Sequence, residues 1–144
     1  MKINIEFPRK LLEVYNDSCK PLCKKLKLPQ TAFDILMFLG NNPQYQTARD
    51  IVQIRNIKAN LVSINVDKLV KEGYLRREAI KGDRRKTKLI CTQKAKPVIK
   101  EGQLLQQKFA DRLFEHTTKE EKEIFINVMK TMDKNLDDIL KGGK

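Results

Sequence analysis

The chain has 144 residues, 40% apolar and 33% charged, which suits one compact soluble domain and excludes a disordered chain. Its formal net charge of +12 makes a polyanion the first partner to consider, because each phosphate neutralised releases condensed counterions. No apolar run approaches the ~20 residues of a membrane span. The opening stretch MKINIEFPRK lacks the apolar core of a secretion signal, and three cysteines make no disulfide framework, so a cytoplasmic protein is expected.

The excess charge is concentrated. Residues 1–54 hold 8 Lys+Arg against 5 Asp+Glu, and residues 101–144 hold 8 against 9. Residues 55–100 hold 14 against 4, so the middle third carries nearly all of it.

In chain order, Leu11, Tyr15, Cys19, Leu22 and Leu26 recur at helical spacing and predict a first helix over residues 8–26. Pro21 should kink it and Pro29 should end it. Thr31 is the expected cap of a second helix, with Asp34 as its acidic partner. The run AFDILMFLG is apolar nearly all round and should be buried on most sides, up to Gly40. Thr47 is the expected cap of a short third helix, ARDIVQI. Asn56 then suits a turn because it tolerates positive φ.

From Lys58 a fourth helix is expected, with Val62, Val66, Leu69 and Val70 facing inward. Lys58, Asn60, Ser63 and Lys68 then fall largely outside. Gly73 suits the left-handed position after a helix end. Residues 74–79 and 87–91 read as two strands joined by a basic tip over residues 80–86. Thr92 is expected to cap a long helix to about Glu115, with Val98, Leu105, Phe109 and Leu113 as its stripe and Pro97 delaying its start. Thr118 and Glu121 form a capping-box pattern for a last helix, whose stripe is Phe125, Val128, Met132, Leu136 and Ile139. The tail 141–144 should fray.

Helix, hairpin and charged tip in this order are what a winged helix–turn–helix needs. The N-terminal residues of a helix in the major groove can read base edges, so Lys58, Asn60, Ser63, Asn65 and Lys68 are the candidate contacts there. An ordinary solvated helix face is the plainer alternative. The wing is the sharper signal. Lys81, Arg84, Arg85 and Lys86 crowd one turn, where repulsion is unfavourable unless a polyanion lies near, and an arginine there can enter a narrow minor groove. Asp83 is expected to shape the tip by pairing with Arg85.

Cys19 and Cys23 stand one helical turn apart and are candidates for oxidant sensing, although their place on the apolar stripe equally suits small buried hydrophobes. Cys91 reads as packing. His116 lacks a close-spaced ligand set, so no metal is expected. No phosphate loop, activated nucleophile or carboxylate pair appears, and no enzyme activity or cofactor is expected.

Val66-Asp67-Lys68-Leu69-Val70-Lys71-Glu72-Gly73-Tyr74 resembles the recognition segment V-D-R-L-x-x-x-G-L of the MarR family of transcription regulators. Asp83-Arg84-Arg85 and Cys91-Thr92 sit at the spacing of that family's wing motif, D-x-R followed by L-T. Cys91 replaces the usual Leu, Ala95 the usual Gly, and Lys58-Ala59-Asn60 a common serine-rich helix start. The resemblance implies a mainly α fold with a small β-hairpin wing, as one domain over 1–144. Its winged unit would span about 31–91, between dimerisation helices at about 8–28 and 92–140.

It also implies a homodimer facing successive major grooves of a near-palindromic promoter site, acting as a repressor. A small-molecule effector would release it, with Tyr15, Phe33 and Met37 as candidate pocket residues. The expected partners are double-stranded DNA and a second copy of the chain. The alternatives are a thiol-based redox sensor on the same scaffold and a winged-helix module that binds protein without reading DNA.

Overall fold

The computed structural model describes residues 1–142 and, within them, all side chains but that of Arg84. Among the described residues the order is α1 (Glu6–Leu26), α2 (Gln30–Asn41), α3 (Ala48–Arg55), α4 (Ala59–Lys71), β1 (Leu75–Ile80), β2 (Asp83–Cys91), α5 (Ala95–Leu113) and α6 (Lys119–Leu140). The protein is mainly helical, with one two-stranded antiparallel hairpin. The fraying expected of the tail concerns Gly143 and Lys144, which lie outside the described residues.

α1 runs through Pro21 and ends before Pro29. Lys27 takes the left-handed conformation at φ 56°, and the Leu28 N–H donates to the Cys23 carbonyl. The cap expected at Thr31 does not form. α2 opens two residues earlier, after Pro29, with no side-chain cap. The Asp34 carboxylate instead accepts from Gln30 Nε2 at 2.9 Å and pairs with Arg55 at 3.4 Å. That tertiary partner is absent from any local pattern. Thr47 does cap α3, in a reciprocal box with Asp50, and Thr118 and Glu121 form the second box at α6.

α2 is the centre of the core. Ala32, Phe33, Ile35, Leu36, Met37, Phe38 and Leu39 are all buried, as an all-round apolar helix requires. Ile51 of α3, Val62, Val66 and Leu69 of α4, Leu75 and Leu89 of the hairpin, and Val98 and Ile99 of α5 join it.

The chain divides into two compact units, Met1–Phe109 and Ala110–Lys144. Within the first, amides link three helices. Gln103 Nε2 donates to Asn41 Oδ1, Asn41 Nδ2 to Gln106 Oε1, and Gln106 Nε2 to the Tyr15 hydroxyl, each at 2.9–3.0 Å. Within the second, Phe114 and Phe125 meet edge to face at 5.7 Å. No residue of α6 is buried, and its whole expected stripe is exposed.

Leu36 is fully buried at the middle of α2. Leu36→Ala should lower unfolding free energy by about 2–5 kcal/mol through lost transfer energy and a residual cavity. Urea unfolding followed by circular dichroism measures it.

Candidate nucleic-acid interface

The helix–turn–helix is set by two local devices. Asn56 takes φ 54°, ψ 46° between α3 and α4, the left-handed turn its side chain tolerates. Gly73, at φ 84°, ends α4: the Tyr74 N–H reaches the Leu69 carbonyl and the Gly73 N–H that of Val70.

Two later side chains bolt this end to the start of α5. Thr92 Oγ1 donates to the Gly73 carbonyl at 2.5 Å, while its N–H bonds the Tyr74 carbonyl. Lys94 Nζ donates to the Glu72 carbonyl at 2.6 Å and lies 4.7 Å from the Tyr74 ring centre. Thr92 stands three residues before the first residue of α5, too early for the expected cap, and its hydroxyl donates instead to the carbonyl end of α4. α5 begins at Ala95, with Pro97 inside its first turn, where a missing N–H is harmless.

The exposed face of α4 presents Asn60, Leu61, Ser63, Ile64 and Asp67, with Lys58 at its start and half-buried Lys68 further on. Asn65 is not on it. Its side chain is 7% exposed and donates Nδ2 to the Leu61 carbonyl at 2.8 Å, so its amide faces the protein. Asp67 is ion-paired with Arg77 of β1, which offsets the one acidic charge of this face. No motif in the sequence singles out Leu61 and Ile64. The helical period puts them opposite Val62 and Val66, and their exposure of 41% and 62% marks them.

The wing is longer than its sequence pattern predicts, since β2 begins at Asp83. The turn is Lys81-Gly82, with Gly82 at φ 92°. Ala79 pairs with Thr87 but Ile80 pairs with Asp83, so residues 84–86 have no partner residue on β1. Exposed Arg85 and Lys86 sit in this irregularity, next to exposed Lys81. The side chain of Arg84 lies outside the described residues. Asp83 does reach Arg85, but at its backbone: Oδ1 accepts from the Arg85 N–H at 2.9 Å. The carboxylate thus holds the tip and leaves the guanidinium of Arg85 exposed.

The remaining candidates are packed. Cys19 and Cys23 are buried, and burial pushes both thiols up, Cys23 to about 11. Burial also raises Cys91, the half-buried third cysteine. A sensing thiol needs the opposite, an accessible and easily ionised sulfur. Phe33 and Met37 are core residues, and a Cβ placed on Gly102 of α5 would lie 2.8 Å from Met37 Cε and 3.2 Å from Phe33 Cζ. Tyr15 is half-buried, edge to face with Phe109 at 5.4 Å, and burial lifts its hydroxyl to about 12. Phe33 and Met37 are closely packed in the core, and Tyr15 is partly so. A groove of about 510 Å³ opens elsewhere, walled by Leu39, Tyr45, Leu89, Cys91 and Ile99, with Lys96 and Lys100 at it. Exposed His116 has no partners for a metal: among the described residues no three His, Cys, Asp or Glu converge.

These elements define a winged helix–turn–helix with long flanking helices. Residues 26–86, which hold the helix–turn–helix and most of the wing, match the model of the MarR family. Solved structures extend the likeness in fold to nearly the whole chain. A MarR-family regulator from Listeria monocytogenes complexed with 26mer DNA is 18% identical, covers 100% of this chain and 98% of its own, and gives a TM-score of 0.85. A MarR transcriptional regulator from Methanosarcina mazei Go1 is 18% identical over 93% and 96%, with a TM-score of 0.81. A MarR protein from Peptoclostridium difficile is 22% identical over 96% and 94%, with a TM-score of 0.80. At such identities the shared property is the fold.

The buried thiols generate a prediction. Cys23 ionises near 11 when folded, against 9.0 ordinarily, so roughly one molecule in a thousand is thiolate at pH 8. Alkylation by iodoacetamide at that pH should label Cys19 and Cys23 slowly in the folded protein and fully in urea. The raised pKa also sets a sign for stability. The contribution is fully present below about pH 9 and is lost as pH rises through about 11, so Tm should fall across that window. Cys23→Ala should flatten part of the fall.

Proposed function

We propose that the protein is a DNA-binding transcription regulator, a homodimeric repressor acting in the cytoplasm on a near-palindromic promoter site. The observation that carries this reading is the pairing of an exposed α4 face with a basic wing tip held open by Asp83. In this reading α4 enters the major groove with Lys58, Asn60, Ser63 and Lys68 toward DNA. Asn60 suits adenine, Ser63 suits several bases, and the lysines suit phosphate. Lys81, Arg84, Arg85 and Lys86 grip the adjoining backbone or minor groove. The Listeria relative complexed with 26mer DNA has the same fold, which favours this docking.

Two such units would face grooves about 34 Å apart. Support for a dimer comes from uncovered apolar surface. On α1, Phe7, Leu12 and Val14 are exposed, and on α6 so are Ile124, Phe125, Val128, Met132, Leu136 and Ile139. Burying them in a two-fold interface removes that surface from water. In this arrangement residues 31–91 read DNA, while 8–28 and 92–140 pair the copies within one functional domain. Release would follow from an effector that changes the separation of the two α4 helices. Since Tyr15, Phe33 and Met37 are packed, the groove beside Cys91 and Ile99 is the better place for it.

The role is binding rather than catalysis, and its test is electrostatic. Arg85→Ala with Lys86→Ala should weaken operator binding and reduce the slope of log K against log salt by roughly 0.9 for each phosphate no longer neutralised. Sedimentation should give twice the chain mass. A parent protein that binds no duplex but binds a protein partner would sink the reading.

A further inference from the structure

Ile64 lies at the centre of the exposed α4 face, one turn from Asn60 and Lys68, and is 62% exposed. Leu61 stands beside it, three residues earlier on the same face, at 41%. Neither contributes to the core, where Val62, Val66 and Leu69 represent α4. Two large aliphatic groups at the middle of a polar helix face leave apolar surface in water, unless something apolar covers it.

The surroundings restrict what that is. Residues 55–100 hold 14 Lys+Arg against 4 Asp+Glu, and Lys58, Lys68 and Lys71 belong to α4 and its cap. An occupant must therefore be polyanionic at its edges and apolar at a point between them. The major groove of a duplex has this form: phosphates along both rims and, on its floor, the C5 methyl of thymine as the apolar group of the base edges.

We infer that Ile64, with Leu61, reads thymine methyl groups, so that the middle of each half-site carries A·T pairs at fixed positions. This rests on the DNA-binding reading above and deepens it. Asn60 would set one adenine by hydrogen bonds, whereas Ile64 sets its thymine by contact alone. Ser63 and the lysines discriminate less. The specificity of the helix thus lies largely in side chains that make no hydrogen bond.

The test uses the full-length protein and an operator duplex selected from a random pool. Single thymines are replaced by deoxyuridine, which removes only the C5 methyl, and affinity is read by fluorescence anisotropy. At one or two thymines in each half-site, deoxyuridine should weaken binding about fourfold, the effect of exposing one methyl-sized group. Ile64→Ala should bind the parent duplex about as weakly and show no further loss with deoxyuridine there. Ile64 is exposed, so the variant should keep its melting temperature, which is measured alongside. Equal binding of thymine and uracil duplexes overturns the inference and leaves DNA binding standing. A deoxyuridine loss undiminished in both Ile64→Ala and Leu61→Ala assigns the methyl to another side chain and overturns it too. Failure to select any duplex removes the DNA-binding reading itself.

Discussion

The structure depends on how the carbonyl end of α4 is closed. A helix leaves its last carbonyls without partners, and here helix, wing and α5 meet at that point. Gly73 turns the chain by taking φ 84°, which costs glycine little and a residue with a Cβ much more. The turn directs Tyr74 and β1 away from α4. Thr92 and Lys94 then return from the far side of the hairpin to the carbonyls of Gly73 and Glu72. The base of the wing and the origin of α5 are thereby held to the helix that faces outward.

This closure separates two tasks that the charge pattern alone would merge. The wing concentrates cations at an irregularity of the hairpin, where Asp83 holds the backbone and leaves the side chains of Arg85 and Lys86 in solvent. Such groups act on any phosphate chain, so they supply attraction without choice of sequence. On the α4 face Asp67 is paired with Arg77 and Lys68 with Glu72, which leaves Lys58 at its start as the main charge. Its character comes from Asn60, Ser63, Leu61 and Ile64. In the proposed DNA-binding role, affinity and selection would occupy different elements, joined through Gly73.

The misreadings share a cause. Thr31 with Asp34 and Thr92 before α5 both look like caps in sequence. Asp34 instead meets Arg55, and Thr92 meets Gly73, nineteen residues back. Thr47 and Thr118 cap as read, because each finds its acidic partner three residues on within its own helix. Asn65 looks like a polar surface residue but is turned inward by a bond to Leu61. Caps whose acidic partner lies in the same first turn were legible; side chains recruited by a distant carbonyl or guanidinium, or buried by their neighbours as Asn65 is, were not.

Periodicity and turn chemistry alone determined the helices, the hairpin, the apolar α2 and the basic middle third. Each follows from interactions within a few residues: one apolar face per helix, one left-handed position per turn, one cap per start. The resemblance of residues 66–74 and 83–92 to the MarR pattern rests on the same short stretches. Tertiary structure decided which faces stay uncovered and where long-range bonds go. It left α6 exposed, buried Cys19, Cys23, Phe33 and Met37, and brought Ile64 to the outer face of α4. Exposure depends on every neighbour packed around a residue, and no local pattern contains that.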